Sequence, residues 1–337
     1  NIQQALAKVV EQIDLSIEEM QEVMRQIMTG GATDAQIGGF LVALRMKSES
    51  LDEITGGVQV MRELVTAVPV QNRQYLVDIV GTGGDGAKLF NVSTASSFVA
   101  AAAGCHVAKH GNRAVSSKSG ASDVLSALGV KLDIDTARTE ACLAKTGAAF
   151  LFAPNHHSAM RHVGPARAAL GIKTLFNRLG PLCNPASVEH ILLGVSDDEL
   201  RGLYGETIKA LGAKRALIVH GSDGMDEITT TGPTYVSDLK DGRITAYEIA
   251  PQDFGIKLAS LSDLEGGDED YNAKALTSVL EDKSSAYADI VILNSGAAIY
   301  VAGKAVSIAQ GIEIARKSIS SGAAKAALQN LIKVSNG

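Results

Sequence analysis

The sequence predicts an α/β protein: a larger domain with a central, mostly parallel sheet flanked by helices, preceded by a small all-helical domain. Two features of the 337-residue chain carry this prediction. The first seventy residues show only the periodicity of amphipathic helices, whereas short apolar runs alternate with helical stretches from Tyr75 onward. Strands and helices in alternation are typical of a parallel sheet that helices cover on both faces.

The N-terminal segment carries the start and stop signals of several helices. Ser16 and Ser50 are each followed three residues later by a glutamate, which fits the capping box of a helix N-terminus. Gly30 predicts the end of one helix, and Thr33 or Asp34 predicts the cap of the next. We therefore expect a small helical bundle at this end of the chain.

Five strands are predicted in the larger domain, separated by helix-like segments such as "DDELRGLYGETIKALG". They are the runs "YLVDIVG", "CHVAKH", "AAFLFA", "HILLGV" and "RALIVHG". The stretch from His156 to Pro185 interrupts this series and looks helical, so we expect it to fold back onto the N-terminal helices. The expected domains are residues 1–72, joined by helices from about 165–188, and residues 73–164 with 189–337.

Composition argues against several classes of partner. A formal net charge of −6 provides no chain-wide basic field for a polyanion, so nucleic acid is not expected. No apolar run approaches the ~18 residues of a membrane span, and the first residues resemble an amphipathic helix rather than a signal peptide. The three cysteines stand far apart among small or apolar residues, and we expect them in the core of a cytoplasmic protein.

A glycine-rich loop, "GTGGDG" from Gly81 to Gly86, directly follows the first predicted strand. Its spacing matches the dinucleotide-binding pattern G-x-G-x-x-G, but that fold needs an acidic residue about twenty positions later. The sequence has no Asp or Glu between Asp85 and Asp123. A Walker A loop is excluded as well, since no Gly-Lys-Ser/Thr closes the motif.

The acid-free stretch after this loop is rich in cations and hydroxyls. It contains Lys88, Lys109, Arg113 and Lys118 together with eight serine and threonine side chains, a composition that suits an anionic, phosphate-bearing ligand. Glycine amides and the N-terminus of the helix that begins near Ser93 would add to the site, which lies where the strands of a parallel sheet end. Two ordinary turns with a serine cap are the simpler alternative.

Two carboxylates follow a later predicted strand, in the segment "VHGSDGMDEITT". Asp226 and Glu227 are adjacent, and the glycines before them predict a turn that could hold both at one cation. Hard oxygen ligands beside a phosphate suit Mg²⁺, with the Ser93 hydroxyl as a further ligand. A solvated acidic turn is the alternative. Zinc is not expected at the histidine pair of "APNHHSAM", because adjacent histidines diverge and no third ligand stands at a useful spacing.

Together these segments resemble the anthranilate phosphoribosyltransferases over essentially the whole chain. Six motifs carry the resemblance in order: "DIVGTGGDG", "FNVSTASS", "KHGNRAVSSKSG", "FLFAPNHHSAM", "GPARAALGIKTLFNRLGPLCNPA" and "VHGSDGMDEI". The resemblance implies a fold shared with pyrimidine nucleoside phosphorylases, a homodimer, and transfer of the phosphoribosyl group of phosphoribosyl pyrophosphate (PRPP) to anthranilate in tryptophan biosynthesis. "KHGNR" separates this family from the nucleoside phosphorylases, which are one alternative; a non-enzymatic, nucleic-acid-binding relative is another.

The resemblance also implies roles for individual residues. Lys109 would stabilise the leaving diphosphate, and His110, near the incoming amine, would accept its proton. The implied Mg²⁺ ligands are Ser93, Asp226 and Glu227. The implied substrate-binding residues are Gly81, Gly83, Gly84, Asp85, Asn91, Val92, Ser93, Thr94, Lys109, Gly111, Asn112, Arg113, Ser116, Ser117 and Arg167. Within this set, Asn112 and Arg167 would contact anthranilate.

The inferred reaction displaces pyrophosphate from the ribose C1. An aryl amine is neutral at physiological pH, so it needs no strong base, and positioning and charge stabilisation supply the rate enhancement. The chain departs from the residues common in the family at Leu89, Ala121, Ser158 and Arg178. Side-chain contacts with the ligand are therefore not expected at Leu89 and Ala121.

Overall fold

The computed structural model describes residues 1–83, 89–113 and 119–337 of the chain. Its N-terminal part forms a bundle whose helices bury their apolar faces. The helices are α1 (Ile2–Val10), α2 (Ile17–Met28), α3 (Asp34–Lys47) and α4 (Leu51–Glu63). Both hydrogen bonds of a capping box are present at Ser16, Thr33 and Ser50, which confirms the helix starts predicted from the sequence.

A seven-stranded sheet forms the centre of the larger part of the described chain. Its strands are β1 (Leu76–Gly81), β2 (His106–Gly111), β3 (Ala148–Phe152), β4 (His190–Gly194), β5 (Arg215–Gly221), β6 (Thr234–Lys240) and β7 (Arg243–Ile249). The order is β3-β2-β1-β4-β5-β6-β7, with parallel pairing from β3 to β5 and antiparallel pairing from β5 to β7. The predicted fold class and the five predicted strands are confirmed.

The hairpin of β6 and β7 adds two strands that were not predicted from the sequence. Lys240 pairs with Arg243 across a two-residue turn, in which Asp241 and Gly242 have φ values of 51° and 73°. An Asp-Gly pair is a common signal of such a turn, because both central residues need a positive φ. β7 is mostly exposed, and polar residues interrupt its apolar ones, so it lacks the continuous apolar run by which the predicted strands are recognised.

The remaining helices pack on the sheet or connect it to the bundle. They are α5 (Val92–Ala102), α6 (Ala121–Ala127), α7 (Thr136–Thr146), α8 (Ala153–His156), α9 (Gly164–Leu170), α10 (Leu175–Leu179), α11 (Glu199–Ala210), α12 (Glu269–Leu280), α13 (Ala286–Val301), α14 (Ile308–Ser320) and α15 (Ala323–Asn336). In the part of the chain that the structure describes, no helix is long and apolar enough to cross a bilayer. Cys105, Cys142 and Cys183 are buried, as expected.

The short helices between β3 and β4 contact the N-terminal bundle. α9 packs on α3, and α10 packs on α3 and α4. Hydrogen bonds reinforce these contacts: Arg62 Nε donates to the Leu182 carbonyl (2.8 Å), and His156 Nδ1 lies 3.0 Å from the Thr66 carbonyl oxygen. The middle of the chain therefore joins the bundle to the sheet.

α13 is a central helix of the larger part, and nearly all its residues are buried. It packs against α5 and α14. The contact with α14 is close because two glycines face each other: a Cβ on Gly311 would lie 2.1 Å from the Gly296 carbonyl oxygen. Small residues in this part of the sequence thus serve helix packing.

Candidate active site

Four parallel strands end at one edge of the sheet, and each of them ends in a glycine. β1 ends at Gly81, β2 at Gly111, β4 at Gly194 and β5 at Gly221. Two of these glycines make room for one residue: a Cβ on Gly81 would lie 2.2 Å from Asp226 Oδ2, and a Cβ on Gly194 would lie 1.6 Å from the Asp226 carbonyl oxygen. Ligands of parallel sheets bind at this edge, and Asp226 lies directly on it.

Lys109 is buried near the end of β2, close to acidic groups. Its Nζ donates to a main-chain carbonyl of β1 (2.6 Å) and to Ser93 Oγ (3.0 Å). Burial lowers the pKa of Lys109, and the nearby carboxylates of Asp78, Glu227 and Asp226 oppose that change. The hydrogen bonds and the negative charges favour the ammonium form, which lies against the hydroxyl in the first turn of α5.

Asp226 and Glu227 lie in the turns that connect β5 to β6. Asp226 Oδ2 accepts a hydrogen bond from the Gly83 amide (2.7 Å), and Glu227 Oε1 accepts one from the Ser93 amide (3.2 Å). The two side chains therefore contact the two elements expected to hold phosphate: the glycine-rich loop and the N-terminus of α5. A merely solvated acidic turn would make neither contact.

Three buried polar atoms near these groups have no hydrogen-bond partner within the described ranges. They are Asn91 Oδ1, Thr94 Oγ1 and Ser119 Oγ. Asn91 is the N-cap of α5 but its side chain makes no cap bond, and its Nδ2 donates to the Ser119 carbonyl (3.3 Å). A buried polar atom without a partner costs about 1–3 kcal/mol. Within the described ranges, these three atoms leave hydrogen-bonding capacity for a polar ligand at one helix N-terminus.

The oxygen atoms at this edge fit a hard cation such as Mg²⁺. Proteins commonly hold Mg²⁺ by one or two carboxylates together with phosphate oxygens of a substrate. Asp226 and Glu227 supply two carboxylates, of which Glu227 accepts from the Ser93 amide, and the Ser93 Oγ already contacts Lys109. Among the described residues, His, Cys, Asp and Glu form no group of three or more that could hold a metal. Two carboxylates and a hydroxyl suit a cation that the phosphate oxygens of a ligand help to hold.

His110 follows Lys109 on β2 but is buried against another histidine. Its Nε2 lies 3.2 Å from His157 Nε2, and its main-chain amide donates to Asp78 Oδ1 (3.1 Å). Burial lowers the pKa of His110 to about 3 and that of His157 to about 4, so both rings are neutral at physiological pH. Such a weak base is poorly suited to accept a proton. This environment argues against the proton-accepting role expected of His110.

The residues expected to contact the acceptor are more open. Asn112 and Arg113 follow β2 and are exposed. Arg167, on α9, is half-buried: its Nη2 donates to Asn177 Oδ1 (3.4 Å), and its guanidinium lies 5.6 Å from the centre of the Phe176 ring. A guanidinium held over a ring keeps donors available, and its planar fork matches a carboxylate.

The other residues expected to bind substrate divide into two groups. Val92 is buried in the first turn of α5, and Gly111 carries no side chain because a Cβ there would lie 2.8 Å from the Phe150 ring. Four more fall outside the described residues: Gly84, Asp85, Ser116 and Ser117.

Two family models match the chain. Residues 3–65 match a glycosyl transferase family helical bundle domain, and residues 73–325 match a glycosyl transferase family a/b domain. Curated relatives named anthranilate phosphoribosyltransferase include one from Laribacter hongkongensis, 48% identical over 334 residues (99% of this chain, 98% of the relative). Another, from Cellvibrio japonicus, is 51% identical over 335 residues (98% of this chain, 97% of the relative).

The chain belongs to the anthranilate phosphoribosyltransferase family. The crystal structure of the Thermus thermophilus member has a TM-score of 0.93 and 41% identity, and covers 99% of both chains. The Saccharomyces cerevisiae member in complex with PRPP and Mg has a TM-score of 0.90 and 28% identity, and covers 99% of this chain and 98% of the yeast chain. The resemblance read from six motifs is confirmed, and the nucleoside phosphorylase alternative is not favoured.

Two polar residues inside the quoted motifs, Asp78 and Asn184, were given no role from the sequence. Asp78 Oδ2 accepts a hydrogen bond from Asn184 Nδ2 (2.7 Å), which also donates to the Ala108 carbonyl (2.8 Å). Burial raises the pKa of Asp78 to about 6, and the charge of Lys109 opposes the rise. A lone carboxylate inside the apolar run "YLVDIV" was a usable signal for Asp78, whereas no local pattern marks Asn184.

Positions that depart from the family's common residues have definite contacts. Leu89 forms a main-chain bridge with the segment that precedes α12. Ser122, which follows Ala121, donates from its Oγ to the Asn112 carbonyl (3.3 Å). Arg178 forms an ion pair with the buried carboxylate of Glu49 and so ties α10 to the connection between α3 and α4.

Proposed function

We propose that this chain transfers the 5-phosphoribosyl group of PRPP to the amine of anthranilate and releases pyrophosphate, a step of tryptophan biosynthesis. One observation carries the proposal. A single sheet edge gathers a buried lysine, two carboxylates and three polar atoms without partners in the described ranges, all around the N-terminus of α5. Family membership, with relatives of that name near 50% identity over nearly the whole chain, supports the same reaction.

The proposed diphosphate site uses both signs of charge. Asp226, Glu227 and Ser93 would hold Mg²⁺, which when bound neutralises the diphosphate; the complex of the yeast relative with PRPP and Mg supports this choice. Lys109, whose Nζ lies 3.0 Å from Ser93 Oγ, would donate to the leaving group from the other side of that hydroxyl. The substrate-binding set named from the sequence is proposed with it, including the four residues that lie outside the described ranges.

The proposed chemical step requires little acid–base catalysis. The amine nitrogen forms a bond to C1 as the bond from C1 to the diphosphate oxygen breaks, and the leaving group departs with its negative charge. Asn112 and Arg167 would hold anthranilate, with the guanidinium on its carboxylate. Because burial lowers the pKa of His110 to about 3, we propose that water takes the amine proton and that His110 shapes the site as a neutral group.

Domain organisation and assembly belong to the same proposal. We propose that residues 1–72 with helices from about 165–188 form one domain, and that residues 73–164 with 189–337 form the other. We also propose that the enzyme is a cytoplasmic homodimer.

Exposed apolar side chains support a dimer interface on the bundle: Val10, Ile13, Met46 and Leu51 are 54%, 51%, 77% and 36% exposed. Sedimentation should give a dimer that Met46→Glu with Ile13→Glu converts to a monomer. Leu258→Glu, which changes an equally exposed leucine outside this set, should leave the dimer intact.

The reaction is tested by following pyrophosphate release and the loss of anthranilate fluorescence with PRPP and Mg²⁺. We expect both signals together, and neither when PRPP, anthranilate or Mg²⁺ is omitted. Phosphorolysis of thymidine or uridine without transfer to anthranilate would instead support the nucleoside phosphorylase alternative. Tight, salt-sensitive DNA binding without turnover would support a nucleic-acid-binding protein.

A further inference from the structure

One buried helix, α13, contacts both elements that carry the proposed oxygen ligands. Near its N-terminus, Tyr287 donates from its hydroxyl to the Asn91 carbonyl (3.0 Å), at the cap of α5. One turn later the Val291 carbonyl accepts a hydrogen bond from Ser96 Oγ of α5 (3.4 Å). The helix whose first turn contains Ser93 is therefore fixed to α13 at two points.

The same helix binds the loop that carries the carboxylates, through Asn294. Asn294 is fully buried, and its Oδ1 accepts a hydrogen bond from the Ile228 amide (3.0 Å). Its Nδ2 donates to the Ile228 carbonyl (2.8 Å) and to the Ile290 carbonyl of its own helix (2.9 Å). The amide side chain thus pairs with both main-chain groups of the residue that follows Glu227, much as a neighbouring strand would.

The upstream part of this loop is braced differently. Asp223 Oδ2 accepts hydrogen bonds from the hydroxyls of Thr229 and Thr231, each at 2.6 Å, and Asp223 Oδ1 accepts one from the Met225 amide (3.1 Å). These contacts lie within the loop, so they fix its shape. Asn294 instead fixes the loop to the helix that also holds α5.

Two adjacent carboxylates need such support. Negative charges at neighbouring positions repel each other, and the loop between β5 and β6 consists of turns and bends instead of a hydrogen-bonded ladder. Small displacements of a ligand group weaken a cation site, which is why supporting residues commonly set metal affinity. A buried amide that fixes the main chain beside Glu227 limits this displacement.

We propose that Asn294 is a positioning residue for the cation site: by pairing with the main chain of Ile228, it holds the Glu227 carboxylate against the first turn of α5. The proposal rests on the proposed function, since it assumes that Glu227 binds the cation of a PRPP complex. It assigns a role in substrate binding to a residue on a core helix, well separated in sequence from the six motifs.

The test compares Asn294→Ala with Ser295→Ala. Ser295 is equally buried on the same helix, and its hydroxyl has no hydrogen-bond partner within the described ranges, so its removal should disturb packing without touching the loop. For Asn294→Ala we expect about a tenfold rise in the Mg²⁺ concentration for half-maximal velocity, the size of effect typical of supporting residues at metal sites. The KM for anthranilate and the velocity at saturating Mg²⁺ should change less than threefold or so.

A direct binding measurement accompanies the kinetics. Isothermal titration of PRPP at a fixed, limiting MgCl₂ concentration should show about tenfold weaker binding for Asn294→Ala, with recovery at high MgCl₂. Ser295→Ala should match the unsubstituted protein in both assays. Asn294→Ser, which leaves a smaller cavity, should show the same direction of change and keeps the test valid where the alanine variant folds poorly.

Two results would overturn the inference. Normal Mg²⁺ dependence and normal PRPP binding in both Asn294 variants, with only a lower melting temperature, would make Asn294 a purely structural residue. An equal shift in Ser295→Ala would assign the effect to packing of α13. If the unsubstituted protein released no pyrophosphate, that result would instead refute the proposed function itself.

Discussion

The diphosphate half and the anthranilate half of the proposed site are built in different ways. In the diphosphate half, the charged groups already have protein partners: Lys109 binds Ser93 Oγ, and the carboxylates of Asp226 and Glu227 bind main-chain amides. In the anthranilate half, Asn112 is exposed, and the half-buried guanidinium of Arg167 makes a long hydrogen bond of 3.4 Å to Asn177 within the described part of the chain. The first half is preorganised, and the second is left open.

Charge density accounts for this difference. Lys109 is buried, Asp226 and Glu227 are half-buried, and the two carboxylates repel each other, so folding must supply fixed partners for these charges. A single guanidinium and a single amide can stay hydrated until a ligand arrives. Preorganisation is concentrated where charge would otherwise destabilise the fold, which is also where charge would develop in the proposed reaction.

Removing both carboxylates should produce the largest effect. For Asp226→Asn with Glu227→Gln we expect pyrophosphate release to fall about a thousandfold, because the charge that holds the cation is lost while the side-chain shapes are kept. Asp241→Asn with Glu248→Gln, the same charge change on the exposed β6–β7 hairpin, should leave the rate unchanged. Unaltered turnover in the first variant would refute the metal assignment.

Lys109→Met should produce the second-largest loss of activity. The neutral side chain keeps most of the buried volume but removes the donor next to Ser93, so kcat should fall about a hundredfold. Lys145→Met, at an exposed lysine on α7, serves as the control. A loss confined to the KM for anthranilate would contradict the placement of Lys109 in the diphosphate half.

Arg167→Gln probes the open half. We expect the KM for anthranilate to rise about tenfold, since one charge-assisted hydrogen bond is lost, while the KM for PRPP stays within experimental error. Arg161→Gln, at an exposed arginine before α9, is the matched control. A loss as large as that of the carboxylate variant would show that the two halves do not differ in the way described.

The smallest effect concerns the buried histidines beside Lys109. Burial lowers the pKa of His157 from 6.5 to about 4, so the unfolded chain binds an additional proton between these values and the stability of the native protein falls as the pH is lowered through them. The unfolding free energy of the unsubstituted protein should fall between pH 7 and pH 5. In His157→Gln this fall should be smaller by about 1–2 kcal/mol. Urea denaturation at the two pH values measures this difference. Parallel losses in both proteins would mean that His157 is not the group that titrates.

Local sequence patterns were sufficient for much of the fold. Ser16 and Ser50 marked helix starts because a capping box is a contact between residues three apart, and apolar runs marked the five predicted strands because those strands are buried. The hairpin of β6 and β7 was missed although Asp241 and Gly242 carried its turn signal, because polar residues interrupt the apolar residues of both strands. A continuous apolar run is readable from neighbours along the chain, whereas an interrupted one resembles a loop.

The site was only partly readable in the same way. The resemblance named Lys109, Asp226 and Glu227, and those residues do lie at one sheet edge, but their roles stay predictions. The sequence explained the glycine at position 81 only by the close approach of a ligand. Its missing side chain also makes room for Asp226. His110 was expected to take a proton, but burial in the folded protein, together with the neighbouring His157, lowers its pKa to about 3.

The sequence by itself determined the helix caps, the five predicted strands and the family, because each of these depends on residues within a few positions of one another or on ordered motifs. Tertiary structure alone decided that Asp78 supports the strand that carries Lys109 and His110, and that Asn294 holds the loop of Glu227. Those contacts join residues 32 and 66 positions apart. No local pattern encodes such a contact, since it exists only after the sheet and α13 have packed.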